Sequence, residues 1–262
     1  MRALYTAATG MAAQELNVQV ISNNIANMRT TGYKKQRAAF QDLIYDHVRR
    51  VGAQASDQGT ILPVGVDLGG GVKTVGTPRL MSQGTLSPTG NDLDIAIRGE
   101  GFFKIQVPDG TYAYTRDGSF MMDAQGRIVT AQGNLVQPTI TIPPNSAGLT
   151  INQQGQVSVT PPGSTTSTVL GQITLTTFIN DAGLQAQGSN LFTATPASGS
   201  PQDGVPGTNN AGTLLQGSLE QSNVEAVTEI SNLIAAQRAY EMNSKVISAA
   251  DQMLQTTSQL MR

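Results

Sequence analysis

The sequence predicts an α+β fold: paired, coiled-coil-like N- and C-terminal α-helices flanking an extended arm and a mainly antiparallel β-domain. Three observations carry this expectation. Apolar residues recur every seven positions at both ends of the chain. All 12 prolines and 26 of the 28 glycines (all but Gly10 and Gly32) lie between Gly52 and Gly217. Inside that middle stretch, turn signals recur about every eight residues.

The first helix is expected over residues 1–28. Leu4, Met11, Val18 and Ile25 are seven apart, with Ala7, Ile21 and Met28 three further on and Gln14 the polar exception. A seven-residue repeat lays one apolar stripe along a helix, and that stripe seeks a partner. The helix should stop at Asn27-Met28-Arg29-Thr30-Thr31-Gly32, where Gly32 can take a positive φ. From Tyr33 to Arg50 the chain reads as a short helix or as extended. The spacing of Phe40, Leu43, Ile44 and Val48 leans helical.

Gly52 to Gly90 changes character. Gln58-Gly59-Thr60-Ile61-Leu62-Pro63-Val64-Gly65-Val66 and Leu68-Gly69-Gly70-Gly71-Val72 combine spaced aliphatics with repeated Gly. Extended segments with tight bends are expected. A flexible linker is the competing reading, but linkers seldom need so many aliphatics. From Asn91 the turns become regular: Pro108-Asp109-Gly110, Arg116-Asp117-Gly118, Ala124-Gln125-Gly126 and Ala131-Gln132-Gly133-Asn134. Short alternating runs between them predict a meander of antiparallel strands.

The last stretch is the clearest. Ser218 to Arg262 contains neither Gly nor Pro. Leu233, Tyr240, Ile247, Leu254 and Met261 fall seven apart, while Ala236, Asn243, Ala250 and Thr257 three further on are small or polar. Ser222 with Glu225 reads as a capping box, which would start the helix near Asn223. At ~1.5 Å per residue such a helix is about 55–60 Å long, so much of it has no core of its own chain to lie on. The division expected is 1–45, N-terminal helix and its stop; 46–90, extended arm; 91–216, β-rich domain; 217–262, C-terminal helix. Two ordinary surface helices on one globular domain is the competing architecture.

Composition excludes several classes of function. Net charge is −2 and charged residues are 13%. Lys and Arg are scattered, so nucleic acid is not an expected partner. A low-charge surface favours association. Without cysteine there are no disulfides and no thiolate metal sites. No run approaches the ~20 apolar residues of a membrane span, so membrane insertion is not expected. The N-terminus imitates a signal peptide, but Thr6, Thr9 and Gly10 break its apolar core and the heptad runs on into Val18 and Ile25. It is read as mature helix.

Catalytic constellations are lacking. His47 is the one histidine, in a charged run, and reads as a surface or packing residue. No G-x-S-x-G elbow occurs. Gly69-Gly70-Gly71-Val72-Lys73-Thr74 lacks the Lys directly after Gly that a phosphate loop requires. Gly99-Glu100-Gly101 lacks the third glycine of a dinucleotide fingerprint. Asp92 and Asp94 could serve calcium or glycoside hydrolysis, but turns recruit Asp for their own reasons. No enzyme activity, cofactor or metal is expected.

Three stretches carry a resemblance. Asn23-Asn24-Ile25-Ala26-Asn27-Met28-Arg29-Thr30-Thr31-Gly32-Tyr33-Lys34, with Phe40 beyond, is similar to the N-terminal signature of bacterial flagellar rod and hook proteins. Its pattern falls on Ala26, Asn27, Thr30, Gly32, Tyr33 and Lys34. Asp94 to Phe103 with Tyr114 to Phe120, and Gln237 to Lys245 with Asp251-Gln252-Met253, agree. Within the family, the length and the Leu62-Pro63-x-Gly65 and Gly69-x-Gly71-Val72 stretches resemble the distal-rod branch. The proximal-rod and hook branches are near neighbours.

The resemblance implies terminal helices paired in the core of a tubular polymer, with the β-domain outside. The polymer would be a drive shaft spanning the periplasm in the basal body, carrying motor torque to the hook. Subunits would leave through the flagellar type III export apparatus without a cleavable signal peptide. Implied partners are copies of the chain, other rod proteins, the hook protein and surrounding ring bushing proteins. Leu4, Met11, Val18, Ile21, Ile25, Leu233, Tyr240, Ile247, Leu254 and Met261 are the expected polymerisation seam. Residues 58–72 are the expected source of stiffness. A cell-wall glycan enzyme and a secreted β-rich adhesin are the competing classes, and neither explains a heptad at both ends.

Overall fold

A computed structural model describes residues 2–49, 64–144, 146, 148–162 and 166–260. The chain divides into two units. The first comprises Met1–Ile25, Gln36–Pro78 and Glu225–Arg262; the second comprises Ala26–Lys35 and Arg79–Val224.

The first unit holds both long helices, α1 (Arg2–Ala26) and α2 (Ala226–Leu260). They run antiparallel, and two contacts fix the register. Gly10 meets Asn243, and Asn24 Nδ2 donates to Glu229 Oε2 at 3.2 Å. From the first contact to the second, α1 advances fourteen residues and α2 retreats fourteen, which is two heptads in each. The same unit carries two antiparallel strand pairs, Ala39–Asp42 with Val72–Gly76 and Tyr45–Arg49 with Val66–Gly69.

Two local expectations are corrected here. The stretch after Tyr33 is extended, not helical. Leu43 N–H donates to the Gly71 carbonyl at 2.8 Å between the two strand pairs, so long-range pairing overrides the helical spacing. The last helix begins at Ala226, later than Asn223. The Ser222 hydroxyl accepts from Val224 N–H at 3.2 Å, closing a local turn before the helix. The first helical bond runs from Glu229 N–H to the Glu225 carbonyl, and the Glu225 carboxylate takes the Thr228 hydroxyl at 2.9 Å. Residue 225 therefore occupies the cap, and the Ser222–Glu225 box does not form.

The second unit is β-rich. Among the described residues its strands pair antiparallel, and one isolated bridge, Glu100 with Ala211, is parallel. A nine-stranded sheet runs in the order Gln185–Gly188, Leu191–Thr193, Tyr112–Thr115, Phe102–Gln106, Leu135–Gln137, Ile128–Thr130, Phe120–Met122. Leu175–Thr177 branches from Phe102–Gln106 and carries Gln202–Gly204. A three-stranded sheet (Gly148–Ile151, Gln156–Thr160, Thr168–Gln172) packs into the same core. The pairs Ile95–Arg98 with Thr213–Gln216, and Leu86–Pro88 with Ser218–Glu220, close the unit.

Alternation along these strands buries one large apolar cluster that includes Ile97, Phe103, Ile105, Ile128, Val157 and Leu175. A smaller aromatic cluster of Phe102, Tyr114, Leu184 and Phe192 packs with Phe178, edge-on to Phe102 and Tyr114. At ~1.5–3 kcal/mol per buried side chain, the large cluster dominates the stability of this unit. Tight turns use glycine where sterics demand it: at Gly126 (φ 78), a Cβ would stand 2.3 Å from the Ile142 carbonyl. Between Ile128 and Leu219, Asp181 and Asp203 are the charged residues.

Candidate assembly surface and buried lock

On α1, Ala7, Ala13, Val20, Ile21 and Asn24 are buried, and Leu4, Met11, Val18 and Ile25 are half-buried. On α2, the small positions go deepest: Ala236 and Ala250 are buried, while Leu233 and Ile247 are half-buried. Small side chains let helices approach closely, and larger ones one turn away are pushed to the flank. Tyr240 remains 44% exposed and Leu254 46%. Met261 lies outside the described residues.

The register explains Leu254. Arg2, the first residue of α1, falls opposite position 251 of α2, so the last turns of α2 have no α1 residue beside them. Positions 251–259 are exposed throughout. Further apolar residues of α2 lie outside the face that meets α1. Val227, Ile230, Ile234, Met242, Val246 and Met253 are all exposed; at about 100° per residue the first three fall opposite the face that meets Gly10 and the last three on its flank. An exposed helix face of this kind marks an interaction surface.

The signature residues divide between the units. Phe40 lies half-buried in the strand Ala39–Asp42 of the first unit. In the second, Ala26 is exposed, and Thr30 Oγ1 donates to Asn27 Oδ1 at 3.2 Å. Gly32, Tyr33 and Lys34 are buried. Gly32 has φ 66, and a Cβ there would meet the Asp117 nitrogen at 2.7 Å. Asn190 Nδ2 donates to the Thr31 carbonyl at 2.9 Å, and the Arg79 guanidinium lies 5.9 Å from the centre of the Tyr33 ring.

Lys34 is the centre of this seat. Its ammonium lies 2.6 Å from Glu220 Oε1 and 2.8 Å from the Ser82 carbonyl, with both charged side chains 1% exposed. Arg116, 2% exposed, places Nη1 3.4 Å from Glu220 Oε2 and 2.9 Å from the Gly99 carbonyl. Two cations thus share one carboxylate in a buried site. Burial pushes the Lys34 ammonium below its ordinary range and Arg116 adds to this, while Glu220 opposes both. Burial likewise raises the nearby Asp181 carboxyl, against the pull of Arg116.

Nothing in the sequence singled out Glu220. It is 186 positions from Lys34, and no local pattern links residues so far apart. The acidic pair considered for catalysis divides: Asp92 is exposed. Asp94 is buried and accepts from Thr89 Oγ1 at 2.6 Å and Asn91 Nδ2 at 3.0 Å. His47 forms an exposed pair with Asp67 at 2.7 Å. Among the described residues, no three His, Cys, Asp or Glu are grouped as metal ligands, and no helix is long and apolar enough to cross a membrane.

Three family models match the chain: "Flagella basal body rod protein" over residues 4–34, "Flagellar hook protein FlgE/F/G D1 domain" over 96–159, and "Flagellar basal body rod FlgEFG protein C-terminal" over 215–260. Relatives named flagellar basal-body rod protein FlgG match along their whole length. The one from Caulobacter vibrioides is 56% identical over 260 residues, 99% of each chain. That from Buchnera aphidicola subsp. Schizaphis graminum is 49% identical over 98% of each chain, and that from Borreliella burgdorferi 48% over 100% of this chain and 99% of its own. The chain belongs to the flagellar basal-body rod protein family. The family's N-terminal segment contains Lys34 and its C-terminal segment contains Glu220, so the lock joins the two ends of this rod-family chain.

Proposed function

We propose that the chain is a structural subunit of the flagellar distal rod, which polymerises through its terminal helices into a rigid tubular shaft transmitting torque to the hook. The observation that carries this is α2, which exposes apolar residues outside its α1-facing side and extends beyond α1. One side meets α1. The exposed apolar residues, with the overhang, take neighbouring copies. Six outward apolar residues, each about half covered already, offer on the order of 5–10 kcal/mol on burial. That is comparable with the ~4–15 kcal/mol cost of association, so a stable filament needs several neighbours per subunit. Head-to-tail contacts that do not close give an open helix.

Other rod proteins and the hook protein adjoin the shaft ends, ring bushing proteins surround it, and the export apparatus delivers the unfolded chain. The arm at residues 58–72, of which 58–63 lie outside the described residues, stiffens the shaft. Deleting it should curve or soften filaments without preventing them, and straight filaments would refute that role. Leu254→Asp places a charge in the seam and should abolish filaments formed by concentrated purified protein, as seen by electron microscopy. Normal filaments from this variant would count against the proposal.

A further inference from the structure

Residues 26–35, which contain the signature, are attached to the second unit unlike the rest of it. Neither apolar cluster of that unit includes a residue of this loop. Tyr33 is buried under Arg79, and the polar contacts of the loop converge on Glu220. Its Oε1 accepts from Lys34 Nζ at 2.6 Å and from Gly84 N–H at 2.8 Å, and its carbonyl accepts from Gly32 N–H at 2.8 Å. Arg116 approaches its other oxygen. Without this carboxylate, Lys34 and Arg116 would be two like charges in a buried site, so the loop cannot seat before residue 220 is in place.

Clefts open to solvent border the seat. A cavity of about 170 Å³ lies against the loop, lined by Gly32, Tyr33, Arg79 and Phe192. A second, of about 400 Å³, is lined by Ser82, Glu100, Arg116 and Asp181. Arg116 Nε is buried without a hydrogen-bond partner.

We propose that this loop is a latch: the sheet of the second unit folds first, residues 26–35 dock onto it in a separate later step closed by Glu220, and they can release while the sheet stays folded. The latch also ties the far end of the loop to the segment that precedes α2. The loop continues directly from α1. Asn223, three residues before α2, accepts from Lys35 N–H at 2.8 Å and donates through Nδ2 to the Leu80 carbonyl at 2.9 Å. None of this depends on polymerisation, so it can fail or hold independently of the proposed function.

Native-state hydrogen exchange on the full chain in low denaturant tests the release step. The amides of Gly32, Lys35 and Gly84 are expected to show protection at least tenfold lower than those of Phe102–Gln106, with a weaker dependence on denaturant. Ile128→Val, which weakens the distant core, should speed exchange in the strands by about fivefold and leave the loop amides unchanged. Equal protection in the wild type, or equal acceleration by this variant, would overturn the latch. Stopped-flow circular dichroism tests the order. Glu220→Gln should accelerate unfolding at least tenfold and alter the folding rate less than twofold. Folding slowed in proportion to the lost stability would show that the loop docks early. Should this variant not fold, the exchange comparison decides alone.

Discussion

Gly10 of α1 and Asn243 of α2 meet so closely that a Cβ on Gly10 would stand 2.9 Å from the Asn243 Nδ2 atom. The obstacle is the tip of a flexible side chain, not backbone. Gly10→Ala should displace that amide at little cost and gain up to ~1 kcal/mol in helix propensity. Gly10→Leu overfills the contact and should cost about 1–3 kcal/mol. Urea unfolding followed by circular dichroism reads both, and a lower midpoint for the alanine variant would contradict the register.

The three buried charges should not be equivalent. Glu220→Gln leaves Lys34 and Arg116 facing each other without an anion, and should cost about 3–5 kcal/mol. Lys34→Met leaves the Arg116–Glu220 pair neutral, and should cost about 1–3 kcal/mol. The order of the two unfolding midpoints is the test; a costlier Lys34→Met would mean that Arg116 does not neutralise Glu220.

Asp203 gives an acid-sensitive contribution. Burial raises its carboxyl, but the bonds from Lys104 at 2.7 Å and Thr176 at 2.5 Å outweigh this and hold it below the usual carboxylate range. A depressed folded pKa means stability that is present above about pH 4 and lost as pH falls towards the folded value. The side chain is 43% exposed, so screening limits the effect to ~1 kcal/mol or less. Asp203→Asn should flatten the stability–pH curve below about pH 4, and an unchanged slope there would exclude the contribution.

Ending the chain after residue 251 separates folding from assembly. The residues removed have no α1 neighbour, so the monomer midpoint should move by less than about 0.5 kcal/mol. Sedimentation of concentrated protein should show no polymer. Filaments from the shortened chain would place the contacts between copies elsewhere.

Periodic features were legible from residue order alone. Heptads located both helices, and Asp-Gly and Gln-Gly pairs located turns, because each is a local property of a few neighbouring residues. Choices that depend on distant partners were not. Phe40, Leu43, Ile44 and Val48 suit a helix, yet Phe40 lies opposite Thr74 in a ladder that decides otherwise. Ser222 and Glu225 have the spacing of a capping box, but Ser222 is used up on Val224. The importance of Lys34 was visible in its motif; its charge partner was not, because no sequence spacing encodes a contact across 186 residues.

The first unit takes three separate stretches of the chain and the second takes two, threaded through one another. No single cut excises either unit whole. A recombination event within the gene would therefore leave two broken halves in place of an exchanged module. Novelty can be added by lengthening exposed turns such as the one at Gly110, which has open space around it. This architecture can be decorated far more readily than it can be shuffled.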